Sequence, residues 1–204
     1  MIERVPFYSP DLDRGNVAQD MAERNTVAEL LRDPYLAEEI KAGNVTLAMI
    51  RPDVGPNANV EGLSDLEAAD NIEGMIEGLG EMAKFSLVFS EDAAKDFYQG
   101  GPEASMRREP AKDSSRYESK WPEFIELMTS GPTTAILLYS PDGDAIERWR
   151  AHLGHWNIDL IRDPATIRGR FGVDKHNNLV HGSDAPESVL REIAIIARCL
   201  TNEE

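Results

Sequence analysis

Short apolar runs alternate along this chain with longer segments in which apolar residues recur every three or four positions. The runs are compact and bounded by turn or charged residues, which predicts buried β-strands at 45–50, 84–89, 133–140 and 177–180. Helical spacing predicts α-helices at 63–83, 91–98, 121–128 and 144–154. A last helix carries an apolar stripe made of Val189, Ile193, Ile196, Ala197 and Leu200. Strands that alternate with helices predict an α/β fold with a single sheet.

Residues 1–43 predict a mostly helical N-terminal extension, which precedes one domain at 44–204. The helical pattern is interrupted at Asp33 and Pro34, and Gly43 is a natural helix end. The extension positions that we expect to be buried are Val27, Leu30, Leu31, Leu36 and Ile40. The polar segment 99–119 predicts a loop.

The chain has 204 residues and a formal net charge of −16, which narrows its range of partners. A field of this sign repels polyanions, so we expect neither nucleic-acid nor anionic-membrane binding, and any phosphate site needs its own positive charge. No run reaches the roughly 18 apolar residues of a membrane helix, and the first residues predict no secretory signal. Cys199 is the single cysteine, which excludes an internal disulfide and favours the cytoplasm.

The segment NNLVHGSDAPES, at 177–188, places His181 between a short apolar pair and the turn that leads into the last helix. Pro186 suits the first turn of that helix. A side chain at such a junction of strand and helix can face a cleft rather than the core. Glu192 falls at the edge of the apolar stripe, and we expect it to reach towards His181.

Four segments carry a resemblance to a known family: VTLAMIRPD, FIELMTSGPTTAILL, ATIRGRFGVD and NNLVHGSDAPESVLREI. In this order they resemble the nucleoside diphosphate kinases, closely from 124 to 197, more loosely from 45 to 123, and not before 45. The resemblance implies a ferredoxin-like sandwich, an α+β fold in which helices flank a four-stranded antiparallel sheet. It also implies ping-pong transfer of a γ-phosphate between nucleoside di- and triphosphates, with Mg²⁺ as cofactor, in a homo-oligomer.

The same resemblance assigns roles to individual residues. His181 would be the nucleophile that becomes phosphorylated, and Glu192 with Ser183 would fix its tautomer and orientation. The nucleotide-binding residues would be Arg51, Tyr98, Trp121, Arg150, Trp156, Arg168 and Asn178. Arginine side chains suit this task because their planar forks bind phosphate oxygens in pairs. Mg²⁺ would arrive with the nucleotide, so no metal-binding residue is assigned.

Several positions depart from the family pattern. Arg51 stands where the family has a lysine, and Trp156 stands where it has a phosphate-binding threonine. Lys175 aligns with the apolar half of the clamp that holds the base, and Trp121 would supply the aromatic half after a shift of one residue. The segment WNIDLIRDPATIR also replaces a loop that shapes subunit contacts in relatives. These changes leave the nucleophile intact and alter the grip on the nucleotide.

Two other classes of function stay open at this point. A divergent relative with impaired turnover would act as a nucleotide-binding, regulatory or interaction module. A metal site could be built from His152, His155 and His176, since an H-x-x-H pair at a helix end places two imidazoles on one face. No cysteine or organised carboxylate completes that set, which favours surface histidines instead.

Overall fold

The computed structural model describes residues 5–8, 17–52, 74–76, 78–98, 114–174 and 177–201. In chain order, the elements of these ranges are β1 (Val5–Tyr8), α1 (Val17–Leu31), α2 (Pro34–Lys41), β2 (Val45–Ile50), β3 (Gly80–Leu87), α3 (Glu91–Tyr98), α4 (Ser114–Thr129), β4 (Thr133–Tyr139), α5 (Ala145–Leu153), α6 (Ile167–Phe171), β5 (Val180–Gly182) and α7 (Pro186–Thr201). None of the helices described here is long and apolar enough to cross a membrane.

The strands form one sheet with the order β1-β3-β4-β2-β5. The central pair, β2 and β4, is antiparallel and runs in register from Val45 opposite Tyr139 to Ile50 opposite Thr134. The flanking strands β5 and β3 are each antiparallel to the central strand beside them. These four strands, with their flanking helices, confirm the ferredoxin-like architecture that the sequence predicts.

Helices cover both faces of the sheet, which explains why its central strands are apolar without alternation. All six residues of β2 are buried. Val45, Leu47 and Met49 belong to a large core cluster that includes residues of α1, α2, α3, α4 and α7. Ala48 and Ile50 point the other way, into a smaller cluster to which α5 and α6 contribute Trp149, Leu153, Ile167 and Phe171.

In its described residues, 5–8 and 17–43, the extension forms two helices and one strand. The predicted break lies between α1 and α2, where the Asp33 side chain accepts a hydrogen bond from the backbone N–H of Tyr35 and Pro34 begins α2. Four of the five positions expected to be buried are so, and Leu30 is partly buried against the same core, which the extension shares with α7. The sequence did not predict β1, which lies parallel to β3 at the edge of the sheet.

Several local predictions are wrong at their boundaries. The helix predicted to reach residue 83 is absent from 75–76 and 78–79, and residues 80–83 begin β3, because pairing with β4 outweighs their helical spacing. That strand ends at Leu87 rather than at 89. Residues 114–119, predicted as loop, belong to α4. The last strand is 180–182 rather than 177–180, so that His181 lies inside it. The predicted helix at 63–73 and the loop at 99–113 lie outside the described residues.

Candidate active site

His181 sits in β5, opposite Met49 of the neighbouring strand, and its side chain is 19% exposed. Its ring nitrogen Nε2 lies 3.0 Å from Oε2 of Glu192. A carboxylate only accepts hydrogen bonds, so this contact places a proton on Nε2. In the neutral imidazole, the lone pair then lies at Nδ1. The nitrogen that carries no proton is therefore Nδ1.

Glu192 is a buried carboxylate on α7, only 3% exposed. Besides the imidazole, the Ser183 hydroxyl donates to the same oxygen, Oε2, at 2.6 Å. Ser183 is itself buried, at the turn between β5 and α7. The three side chains expected to act together are thus in one hydrogen-bonded cluster. Such a cluster fixes both the tautomer and the orientation of the ring.

The backbone before His181 is strained. Leu179 has a φ of 70°, which is a left-handed conformation for a residue with a branched side chain. The N–H of Val180 donates to the carbonyl of Asn178 at 2.8 Å, which closes a γ-turn around Leu179. The Leu179 side chain is fully buried, and its carbonyl accepts from the N–H of Arg51. Packing therefore holds the turn in place, with Asn178 before it and His181 just after it.

Two aromatic rings at the end of α3 contact the imidazole. The centroid of Phe97 lies 5.1 Å from that of His181, and the centroid of Tyr98 lies 5.6 Å away, both in edge-on arrangements. Tyr98 is buried at 7% exposure, and its hydroxyl donates to the sulfur of Met128. Tyr98 thus combines a place in the core with direct contact to the candidate nucleophile.

Three arginines supply positive charge beside this cluster. Burial and the neighbouring guanidiniums of Arg51 and Arg150 lower the pKa of Arg168 to about 10. Hydrogen bonds hold the Arg168 guanidinium in place, because it donates to the carbonyls of Gly154 and Val180. Its buried Nε makes no hydrogen bond among the described residues. A buried guanidinium with an unused N–H group is stabilised by an anion that binds next to it.

Arg150 lies near both Arg168 and Asp184. It lies exposed in the last turn of α5. Asp184, which follows the strand of His181, has a pKa below the usual range. The main cause is the hydrogen bond that Ser188 donates, and the charge of Arg150 acts in the same direction. The imidazole of His181 adds to this effect when it is protonated, so both groups lie near Asp184.

Arg51, Asn178 and Trp156 form a second chain of contacts. Arg51 is 6% exposed and donates to Oδ1 of Asn178 at 3.3 Å. The amide nitrogen of Asn178 donates to the main-chain oxygen of Trp156 at 3.3 Å. The indole of Trp156 is 53% exposed and stacks on the ring of His155. The structure thus brings the main chain of Trp156 into the site while its side chain faces outwards.

Trp121 packs against Phe124, and Phe124 lines a cavity. The Trp121 ring stacks on Phe124 with centroids 5.9 Å apart, and the guanidinium of Arg51 lies over the same Phe124 ring. A cavity of about 330 Å³ is bounded by Phe124, Asp174 and Asn177, among others. Lys175, the other position aligned with the base clamp, lies outside the described residues.

Sequence reasoning missed three residues that contact the site. Phe97 touches the imidazole, Phe124 touches Arg51, and Trp149 donates from Nε1 to the carbonyl of His181 at 3.2 Å. Trp149 is fully buried and precedes Arg150 on α5. The apolar spacing of α5 marks Trp149 as a core residue, but spacing alone does not show that a core indole supports the histidine backbone.

We expect Gly182→Ala to lower the free energy of unfolding by about 1–3 kcal/mol. A Cβ at this position would lie 2.5 Å from Nε1 of Trp149 and 2.6 Å from a methyl carbon of Leu153. Denaturant unfolding measures the change, and Gly80→Ala, another strand glycine, is the matched control. There a Cβ would have only an ordinary contact, 3.7 Å from the oxygen of Tyr139. Equal effects of the two substitutions would show that the close approach of Trp149 has no energetic weight.

The histidine metal site has no support in the described part of the chain. His155 uses its Nδ1 in contacts with the backbone of Asn157. No group of three His, Cys, Asp or Glu side chains in the described ranges is close enough to hold a metal ion. His176 lies outside those ranges.

Comparisons with known proteins agree with this geometry. The nucleoside diphosphate kinase family model matches residues 44–199. Nucleoside diphosphate kinase 6 of Danio rerio is 30% identical over 167 residues, which cover 81% of this chain and 82% of that protein. A nucleoside diphosphate kinase of Rhodococcus erythropolis is 34% identical over 151 residues, with 74% and 91% covered. The crystal structure of the Aquifex aeolicus enzyme has a TM-score of 0.52 and 29% identity, and covers 75% of this chain and 94% of that chain. The chain belongs to the nucleoside diphosphate kinase family.

Proposed function

We propose that this chain is an active nucleoside diphosphate kinase that works through phospho-His181. One observation carries the proposal: a partly accessible imidazole is held by a buried carboxylate, and three arginines lie beside it. A lone histidine is more often a satisfied surface or core residue. Here the carboxylate contact sets the tautomer, and the arginines provide the local positive charge that a chain of −16 otherwise lacks.

The reaction has two balanced halves. Nδ1 of His181 attacks the γ-phosphorus of a triphosphate, the bond to the oxygen that bridges to the β-phosphate breaks, and the diphosphate leaves with that electron pair. The ring gains positive charge while Nε2 keeps its proton, and Glu192 stabilises this charge. A terminal oxygen of a second diphosphate then attacks the same phosphorus. The bond to Nδ1 breaks, and the free imidazole returns.

Arg51, Arg150 and Arg168 are suited to hold the phosphates during both halves. Phosphoryl transfer needs mainly positioning and neutralisation of charge, which planar guanidiniums provide. Mg²⁺ would reach the site bound to the nucleotide, since the donors gathered beside His181 are mostly cations. When bound, it would neutralise further charge on the phosphate oxygens. We assign the base to the cavity bounded by Phe124, Asp174 and Asn177. Trp121 supports the wall of this cavity through its ring contact with Phe124.

A second candidate function is a family member with impaired turnover that acts as a binding or regulatory module. Two features of the site favour it. The indole of Trp156 cannot donate a hydroxyl hydrogen bond to phosphate, and Asn178 already has both ends of its amide engaged. These features weaken the grip on the nucleotide but leave His181 and its carboxylate unchanged.

A coupled assay with ATP as donor and dTDP as acceptor separates the two functions. An active kinase produces dTTP and forms a phosphoprotein that is labile in acid and stable in base. A chain that binds ATP but yields neither dTTP nor phosphoprotein would be the module instead. Pre-forming the phosphoprotein, removing ATP and adding dTDP alone tests the ping-pong order directly.

We further propose that residues 44–204 are the catalytic domain, that 1–43 are an extension of it, and that the protein is a homo-oligomer. The shared core of α1, α2 and α7 supports close attachment of the extension. Light scattering coupled to size-exclusion chromatography measures the mass in solution.

We expect Trp156→Thr to raise kcat/KM for ATP by about tenfold, because one hydroxyl bond to a charged phosphate is worth that much. The effect should appear mainly as a lower KM. Leu160→Thr is the matched control, since Leu160 is an exposed apolar residue of the same loop. An unchanged KM for Trp156→Thr would mean that the loop binds phosphate without a hydroxyl at this position.

A further inference from the structure

Arg191 joins the two elements that surround His181. One of its terminal nitrogens, Nη1, donates to the main-chain oxygens of Asp96 and Phe97 at 3.1 and 2.8 Å. The other, Nη2, donates to Oε1 of Glu192 at 3.2 Å. The two carbonyls belong to the last turn of α3, and a cation at a helix C-terminus is favourable there.

The contact between Arg191 and Glu192 is unusual for its spacing. Adjacent residues on a helix point about 100° apart and do not ordinarily face each other. Here the α3 carbonyls draw the arginine across the surface of α7, so that its fork spans both groups. This geometry makes the guanidinium a bridge between helices rather than a solvated surface charge.

The bridge completes the hydrogen bonding of the buried carboxylate. Oε2 of Glu192 accepts from His181 and Ser183, and Oε1 accepts from Arg191. The Glu192 side chain is only 4% exposed and loses most of its hydration, so a cation beside Oε1 stabilises its negative charge. Because donors hold both oxygens, Oε2 stays in place to accept the hydrogen bond from Nε2 of His181.

We propose that Arg191 is a positioning residue for phosphoryl transfer, which holds the Glu192 carboxylate in place and so keeps Nδ1 of His181 free to attack. This rests on the proposed kinase function. The same arginine anchors the end of α3, which carries Phe97 and Tyr98 against the imidazole. Arg191 therefore acts on both the hydrogen-bonded side and the aromatic side of the nucleophile.

The test compares Arg191→Met, Arg191→Lys and Arg198→Met. Arg198 is the matched control: it lies on the same helix, its side chain is 47% exposed against 40% for Arg191, and it contacts the carboxylate of Asp96 rather than Glu192. We expect the rate of phosphoprotein formation to fall about tenfold in Arg191→Met, as with other residues that orient a histidine through its partner. Arg191→Lys should recover part of the rate, and Arg198→Met should match the unmodified chain.

The pH profile distinguishes positioning from a general loss of stability. Among the described residues, the charged or titratable groups near Glu192 and His181 include Arg191, Asp184, Arg150, Arg168 and Tyr98. Arg191→Met removes a positive charge beside this cluster, so the acid limb of the rate moves to higher pH. KM for ATP should change less than kcat. An unchanged profile in Arg191→Met, or an equal loss in Arg198→Met, would overturn the proposal.

A second measurement does not depend on turnover. Nitrogen-15 spectra of the histidine rings report which nitrogen of His181 carries the proton, and His181→Gln assigns the signals. We expect the Nε2–H tautomer in the unmodified chain and a larger share of Nδ1–H in Arg191→Met. The same tautomer in both would overturn the role of Arg191. If both chains show the expected tautomers but the unmodified chain never accepts label from ATP, the kinase function fails. The positioning of His181 by Arg191 through Glu192 then still holds.

Discussion

Replacement of His181 by alanine is expected to abolish phosphoprotein formation and to lower kcat/KM for ATP by about 10⁴-fold or more. The imidazole supplies the bond-forming atom. Within its hydrogen-bonded cluster, Glu192 is an acceptor, and the Ser183 hydroxyl already donates to Glu192. Neither replaces a neutral nitrogen lone pair near pH 7. Labelling with ATP and Mg²⁺, followed by steady-state kinetics, measures both losses.

His152→Ala is the control for this substitution, because it removes an imidazole from the last turn of α5 instead of from β5. It should keep the label and the rate. Label that survives in His181→Ala but disappears in His152→Ala would move the nucleophile to α5. Label in both variants would mean that phosphorylation occurs at a different kind of side chain, which stability to acid would reveal.

Arg168→Met is expected to lower kcat/KM by about 10²–10³-fold while the melting temperature changes little. The arginine provides charge at the point where the phosphates are proposed to bind, and methionine keeps only its length. Stability changes little because two effects oppose each other. The carbonyls of Gly154 and Val180 lose their donors, whereas the cost of burying a cation next to Arg51 and Arg150 disappears.

Arg162→Met separates charge from loop support. Arg162 donates to the carbonyls of Gly169, Gly172 and Val173, so it supports α6, which carries Arg168, and the residues just after that helix. We expect this variant to keep its kcat/KM within about threefold. A comparable loss in both variants, or a large fall in the melting temperature of Arg168→Met, would assign Arg168 a structural role only.

The strands and the principal side chains could be predicted because each has a local signal. Apolar runs 45–50 and 133–140 appear as β2 and β4, since strands buried on both faces need no alternation. The stripe of α7 places Glu192 at its edge, and the structure brings that carboxylate to His181. Local periodicity thus located the side chains that lie on one helix face or one strand.

The errors arise where distant segments decide the outcome. Residues 80–83 have helical spacing but pair with β4, and the segment itself contains no signal that predicts this partner. The bridge made by Arg191 is a stronger case, since its spacing to Glu192 argues against contact. Only the carbonyls of α3, nearly one hundred residues earlier in the chain, pull the guanidinium into place.

β1 changes how this molecule can meet other chains. A bare outer strand exposes a ladder of unused N–H and C=O groups, which accepts any extended segment that arrives. Along β3 these groups already pair with β1 of the same chain, with Val5 opposite Ala83 and Tyr8 opposite Phe85. A foreign strand that pairs with β3 must therefore first displace residues 5–8, so β1 of the same chain competes with any partner for that side of β3.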